Sequence, residues 1–383
     1  MKFSFFMMPV HHPRENPTLA FRRDIELIHL ADALDYDEFF IGEHHSGGWE
    51  TMPAPEMALA MAAASAHRIR LGTSVVSLPF HHPFHVAERM AFLDHLTRGR
   101  AILGVGPCNL ATDKKLFSIT DDRLYPMMYE AIDVIVRLLE SSEPFSHRGE
   151  FWTFDDLRLQ LLSYQQPRMP LAIATSGTKA NLEVAGRHDM LLLQPVGRNL
   201  SAHYGDAKSQ WAQVEAAASA AGRTADRSNW RLATAIHLAE TRDQAWDEAA
   251  AGLMSEAEYF SAIGLKPAYE EFPGQPFEQF TPESCVERRD FVVGTPDDMI
   301  AWIERKQAET GGFGGVMLTT HEWTDHEKYR RSLDMVARYV MPHFRGSNRI
   351  MRDEWDAIQR QVRDDGKVVL DPARPSNLAT VAR

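Results

Sequence analysis

Histidines gather where short apolar runs end. His11 and His12 follow the run at 3–8, Glu43, His44 and His45 the run at 38–42, His81 and His82 the run at 69–78, and His321 the run at 315–319. A lone histidine in a loop is usually a satisfied polar residue. Histidines at four such ends argue instead for a polar active-site mouth. His44, beside the acid Glu43, has the type and setting of a group that titrates near neutral pH and moves a proton beside a reactive intermediate. After the run at 171–174 comes Thr175-Ser176-Gly177-Thr178. Small hydroxyl residues and a glycine at a helix start leave backbone N–H groups facing outward, which suits a phosphate; a plain helix cap is the competing reading. Ser46-Gly47-Gly48 is a flexible turn that carries Trp49, an aromatic able to wall an apolar pocket. So many histidines also raise a metal-dependent hydrolase. Adjacent residues at a strand end point apart, however, and no aspartate directly follows the last run, so no metal site is expected.

These residues need a scaffold that brings run ends together. Short β-branched or aromatic runs alternate with longer amphipathic stretches as far as residue 340, giving eight strand–helix units in series. Such alternation predicts an α/β protein, a closed parallel (β/α)₈ TIM barrel with its chemistry at the C-terminal strand ends. No Gly-x-Gly-x-x-Gly follows the first run, which disfavours a doubly wound dinucleotide fold. The expected organisation is one barrel over 1–345, with insertions near 143–168 (a hairpin) and 265–290 (a long Pro-rich, structureless segment suited to a lid), then a polar tail at 346–383 that drapes or frays. One unbroken strand is expected at 69–78 and one unbroken helix at 202–221.

Composition narrows the function. The 383 residues are 44% hydrophobic and 25% charged, ordinary for a globular enzyme, and the net charge of −12 opposes nucleic-acid binding. Two distant cysteines imply no disulfide framework, and no run of about 18 apolar residues is available to span a membrane. A cytoplasmic enzyme is the expectation.

The chain resembles the luciferase-like flavin monooxygenases over residues 2–344, and within them sequences of the limonene monooxygenase kind. The matching stretches are Glu43-His44-His45; Leu71-Gly72-Thr73 through Leu78-Pro79 to His82-Pro83; Leu93-Asp94-His95-Leu96-Thr97-Arg98-Gly99-Arg100; Gly104-Val105-Gly106; and Val293-Gly294-Thr295-Pro296. The resemblance implies a two-component monooxygenase. A separate NAD(P)H:flavin reductase supplies reduced FMN, which reacts with O2 to a C4a-(hydro)peroxyflavin that oxygenates a small apolar substrate, a terpenoid or ketone. It implies His44 as the catalytic residue beside the flavin. It implies cofactor contacts from Ser74 and Val75 (a strand-three pair joined by a cis peptide in several members), Gly106, Asn109, Thr175, Ser176, Gly177 and Thr178. His11, His45, Trp49 and His82 are the expected substrate-pocket residues, and a homodimer the expected assembly. Where many relatives hold the phosphate with an arginine, this chain has Tyr125, with Arg123 nearby. A deazaflavin-dependent oxidoreductase on the same barrel is the alternative, and a non-catalytic flavin-binding subunit another.

Overall fold

A computed structural model describes residues 1–108 and 110–364. Asn109 and residues 365–383 lie outside the described residues. Eight parallel strands close into a ring: β1 (Lys2–Met7), β2 (Glu38–Ile41), β3 (Arg70–Thr73), β4 (Ala101–Gly106), β5 (Leu171–Ala174), β6 (Leu191–Pro195), β7 (Trp230–Leu238) and β8 (Gly315–Thr319). The ring is complete because β7 pairs with β6 on one side and β8 on the other, and β8 pairs with β1.

The strands are short because each is buried on both faces, which favours a brief continuous apolar run over an alternating one. Phe3, Phe5 and Met7 of β1 join the large cluster shared with the outer helices, while Phe40, Ile102, Ala172, Leu193 and Met317 fill the barrel interior. Near the start of the strands a buried ion pair ties β2 to β7. Arg231 Nε and Nη2 donate to Glu38 at 2.8 and 3.0 Å, and Ser4 Oγ donates to the same carboxylate at 2.7 Å. Burial would raise the Glu38 carboxyl, but the Arg231 charge outweighs it and holds the group below its usual range.

Three expectations needed correction. The strand expected at 69–78 is two pieces, β3 and Val76–Ser77, separated by a cis peptide between Ser74 and Val75. The helix expected at 202–221 breaks into Arg198–Tyr204 and Ala207–Ala220: Gly205 takes φ +87°, and the Asp206 side chain accepts from Ser209 N at 2.9 Å to start the second helix. The 265–290 segment is not structureless, since it contains turns at Lys266–Ala268 and Phe277–Gln279 and a helix, Pro282–Arg289. Thr281 and Ser284 cap that helix reciprocally, the same Thr-Pro signal that Thr295-Pro296 gives for the next one.

Residues Arg349–Asp364 form a helix whose Met351, Trp355 and Ile358 share one exposed face at spacings of four and three. An antiparallel hairpin, Phe145–Arg148 with Thr153–Leu157, stands outside the ring.

Candidate active site

The end of β2 turns at Gly42 and delivers three chemistry-bearing side chains in succession. Glu43 is buried, and its Oε1 lies 2.9 Å from Nε2 of both His45 and His81; its Oε2 accepts from Ser77 N at 3.1 Å. Burial would raise the Glu43 carboxyl, but its hydrogen bonds to the two imidazoles hold it below its usual range. Glu43, His45 and His81 therefore form one compact group, the kind of trio that a metal ion also finds attractive. His45 turns its ring to Phe117, 4.8 Å away, and Phe117 stacks on Phe80.

His44 points to a different set. Its Nδ1 lies 2.9 Å from Asp113 Oδ2, and its Nε2 lies 3.1 Å from Glu50 Oε2 but off the line of a hydrogen bond. Asp113 is buried and also receives Ser46 Oγ and the His45 backbone N–H. Glu50 is buried too, and Tyr259 Oη donates to its Oε1 at 3.2 Å. Burial alone would lower the His44 imidazole. The Asp113 hydrogen bond and the Glu50 charge overcome this and push it up to about 10. The expectation of a histidine titrating near neutral pH is corrected accordingly: His44 is held as an imidazolium, an acid rather than a base. Cys108 Sγ completes the group at 3.5 Å from Asp113 Oδ2.

The other half of the rim holds the anion-suited turn. Thr175 is buried, and its Oγ1 accepts from Gly177 N at 3.1 Å. Gly177 takes φ +119°, and a Cβ there would come within 2.6 Å of Gln210 Oε1, so any other residue would be strained and would displace Gln210. Thr178 precedes helix Lys179–Arg187 without a side-chain capping bond, which leaves the first N–H groups of that helix uncapped. Gly106 closes the floor beside Val75, where a Cβ would lie 2.8 Å from Val75 Cγ2.

Not every expected residue joins these groups. Trp49 does, since it stacks on Tyr259 with ring centroids 4.7 Å apart. His11 instead pairs with Asp24 at 3.0 Å. Asp24 lines a cavity of about 320 Å³ outside the ring, between helices Pro17–Ala33 and His326–Met335, with Leu27 and Tyr329. That cavity also touches the ends of β1 and β8 through Met8, Thr320 and His321, but none of the His44, Glu43 or 175–178 side chains reaches it. His82 is exposed, with its ring 5.3 Å from Phe154 of the hairpin, because Pro83 starts a helix directly after it; His81 takes the inward place. Arg123 lies over Phe151, 5.4 Å from its centroid, rather than at the phosphate turn, while Tyr129 donates to Asn181 of that helix at 2.8 Å.

A smaller cavity, of about 70 Å³, lies over the ends of β6, β7 and β8 beside Val196, Ala233, Thr320 and the covering residues Leu265, Tyr269 and Arg289, and the His44, Glu43 and 175–178 side chains do not line it either. Residues of the 261–290 segment thus lie over the strand ends.

A closed parallel barrel with a carboxylate-clamped histidine and an uncapped turn on one rim has the layout of a barrel enzyme with its chemistry at the strand ends. The chain belongs to the family described as luciferase-like monooxygenase, whose sequence model matches residues 1–313. It is an oxidoreductase of the monooxygenase kind. It is 36% identical over 349 residues to 4-hydroxyprotoasukamycin monooxygenase of Streptomyces nodosus subsp. asukaensis, covering 91% of this chain and 93% of the relative. It is equally 36% identical to limonene 1,2-monooxygenase of Rhodococcus erythropolis, covering 90% and 87%. In fold it matches the oxygenating constituent of 3,6-diketocamphane monooxygenase from Pseudomonas putida, solved with FMN: TM-score 0.75, 23% identity, 89% of this chain and 98% of that one.

Proposed function

We propose that this chain, acting through one barrel unit at 1–345, is the oxygenating component of a two-component monooxygenase. It takes reduced FMN from a separate NAD(P)H:flavin reductase and uses O2 to oxygenate a small apolar terpenoid or ketone. Relatives named for limonene and 4-hydroxyprotoasukamycin support the class of activity, and the FMN-bound structural match supports the cofactor. The observation that carries the reading is the pairing, on one rim, of the imidazolium of His44 with the uncapped turn at 175–178.

The residues present fit a flavin phosphate, because helix Lys179–Arg187 starts without a side-chain cap and Ser176 and Thr178 bring hydroxyls to that start. Ser74, Val75, Gly106 and Asn109 are the residues we assign beside the ring system. Bound reduced flavin supplies the electrons that activate O2. His44 holds a proton on Nε2, next to Glu50, and would supply it to an oxygen atom gaining negative charge. Asp113 accepts from Nδ1 and fixes the orientation of that ring from the far side. Trp49, stacked on Tyr259, walls the apolar side, and the 261–290 segment excludes water.

The test supplies reduced FMN and O2 with a panel of terpenes and ketones, and measures product and peroxide together. His44→Ala is expected to lose product by about 10²–10⁴-fold while peroxide rises. Turnover without oxygen uptake would point to the deazaflavin alternative.

We also propose a homodimer. Met57 and Met61 on helix Pro55–Ala63, and Phe92 and Leu96 on helix Pro83–Leu96, are exposed at i, i+4 spacing on neighbouring helices. Sedimentation velocity reads the state directly, and a monomer at micromolar concentration would refute it.

A further inference from the structure

Arg289 ends helix Pro282–Arg289 and lines the cavity of about 70 Å³ over the ends of β6, β7 and β8. Its guanidinium carbon lies 5.2 Å from the Tyr269 ring centroid and 5.3 Å from that of Phe291. Stacking of this kind occupies the faces of a guanidinium and leaves its in-plane N–H groups free. Its Nε is buried and has no hydrogen-bond partner among the described residues. No ion pair within 4.0 Å engages it there either.

The neighbouring acids are committed elsewhere. Asp290 binds Arg305 and Lys306, and Glu287 binds Arg198. Glu256 lines the same cavity, but its two oxygens accept from Trp323 Nε1 at 3.0 Å and Glu322 N at 3.1 Å. The rest of the lining is largely apolar: Met8, Ala233, Ala235, Phe260 and Leu265. A half-buried guanidinium with its buried Nε–H unpaired carries a cost that a ligand acceptor would relieve.

We infer that Arg289 forms an oxygen-acceptor subsite: the substrate is an apolar molecule carrying a carbonyl or carboxylate oxygen, which accepts from the Arg289 guanidinium. The inference rests on the proposed function, with this cavity as the substrate end of the oxygenation site, and it selects oxygenated substrates over plain hydrocarbons. A cavity of about 70 Å³ accommodates the oxygenated end of such a molecule and a few carbons while the covering segment stays in place.

The experiment measures binding without flavin, by ligand-observed NMR and calorimetry. The probes are cyclohexanone, cyclohexanecarboxylate and methylcyclohexane, of similar size. The wild type is expected to bind the ketone, the acid or both, and methylcyclohexane at least about 10-fold more weakly. Binding of the ketone alone identifies a carbonyl, and binding of the acid identifies a carboxylate. Arg289→Met should abolish the preference while retaining the fold by thermal unfolding and the FMN affinity within about twofold. Arg289→Gln, smaller and polar, serves if the methionine variant unfolds. Equal binding of all three probes, or an unchanged preference in the variant, overturns the subsite. A loss of FMN affinity with probe binding unchanged overturns it too, making Arg289 a flavin contact. Probe selectivity without any oxygenation would instead remove the proposed function and leave the subsite standing.

Discussion

His44 Nδ1 and Asp113 Oδ2 meet at 2.9 Å although 69 residues separate them, which fixes the imidazole between the ends of β2 and β4. Burial would raise the Asp113 carboxyl, yet the His44 and Ser46 hydrogen bonds hold it low, so the pair is an ionised carboxylate with an imidazolium. The folded His44 value of about 10 lies above its usual 6.5, so the stabilisation from its charged form is complete below about pH 6.5 and is lost as pH rises through about 10. Asp113→Asn should lower the His44 value by about 1–3 units and shift that loss to lower pH. Histidine NMR titration and thermal unfolding from about pH 6 to about pH 10 check it. Superimposable curves would detach Asp113 from His44.

If the turn at 175–178 holds the FMN phosphate, a fixed negative charge there should repel it. Ser176→Asp is expected to weaken reduced FMN by about 10-fold or more and to leave riboflavin, which lacks the phosphate, nearly unchanged. Anaerobic titration of both ligands measures this. Equal weakening would mean that the turn only starts the helix Lys179–Arg187.

The parts of this site that show in the sequence are local. Barrel strands buried on both faces make apolar runs, so strand ends, and hence His44 and the 175–178 turn, stand out. Asp113 does not, because it sits in the short polar helix Ala111–Leu116, where an acid reads as solvated surface. Glu50 and Tyr259 are equally hidden, since their meeting spans 209 residues. Choosing between His81 and His82 needed the direction of each side chain, which the helix start at Pro83 decides. The break at Ser74 and Val75 is invisible to β propensity, since Thr73-Ser74-Val75-Val76 reads as one strand. The helix at Pro282–Arg289 carried a legible Thr-Pro start, which the prolines and glycine around it obscured.

Gly106 is fixed by its neighbour rather than by a turn. A methyl group there would lie 2.8 and 3.0 Å from the two Val75 γ-carbons, and a β-branched side chain has little freedom to withdraw. Gly106→Ala is expected to destabilise the protein by about 1–3 kcal/mol. Adding Val75→Ala should recover part of that loss, and a double-mutant cycle in urea measures the coupling. Strictly additive losses would show that the two residues do not press on each other.

Asn199 ties the covering segment to the barrel rim: its Nδ2 donates to the carbonyls of Pro267 and Glu270, each at 2.8 Å. On either side of these anchors Gly264 and Gly274 take φ +100° and +82° with open space around their α-carbons, so the backbone there has room to swing. Ligand pockets commonly measure about 300–1,000 Å³. The cavity over the ends of β6, β7 and β8 measures about 70 Å³ with Leu265 and Tyr269 in place, so admitting a whole substrate there requires this segment to move. Asn199→Ala removes both anchors and should speed proteolytic cleavage within 264–281 by several-fold, because cleavage tracks the population of the open form. Reduced FMN, added anaerobically, should slow cleavage in the wild type and less so in the variant. The variant should also release more peroxide per product, since water reaches the mouth more often. Cleavage that ignores both the substitution and the ligand, with coupling unchanged, would make the segment a fixed wall.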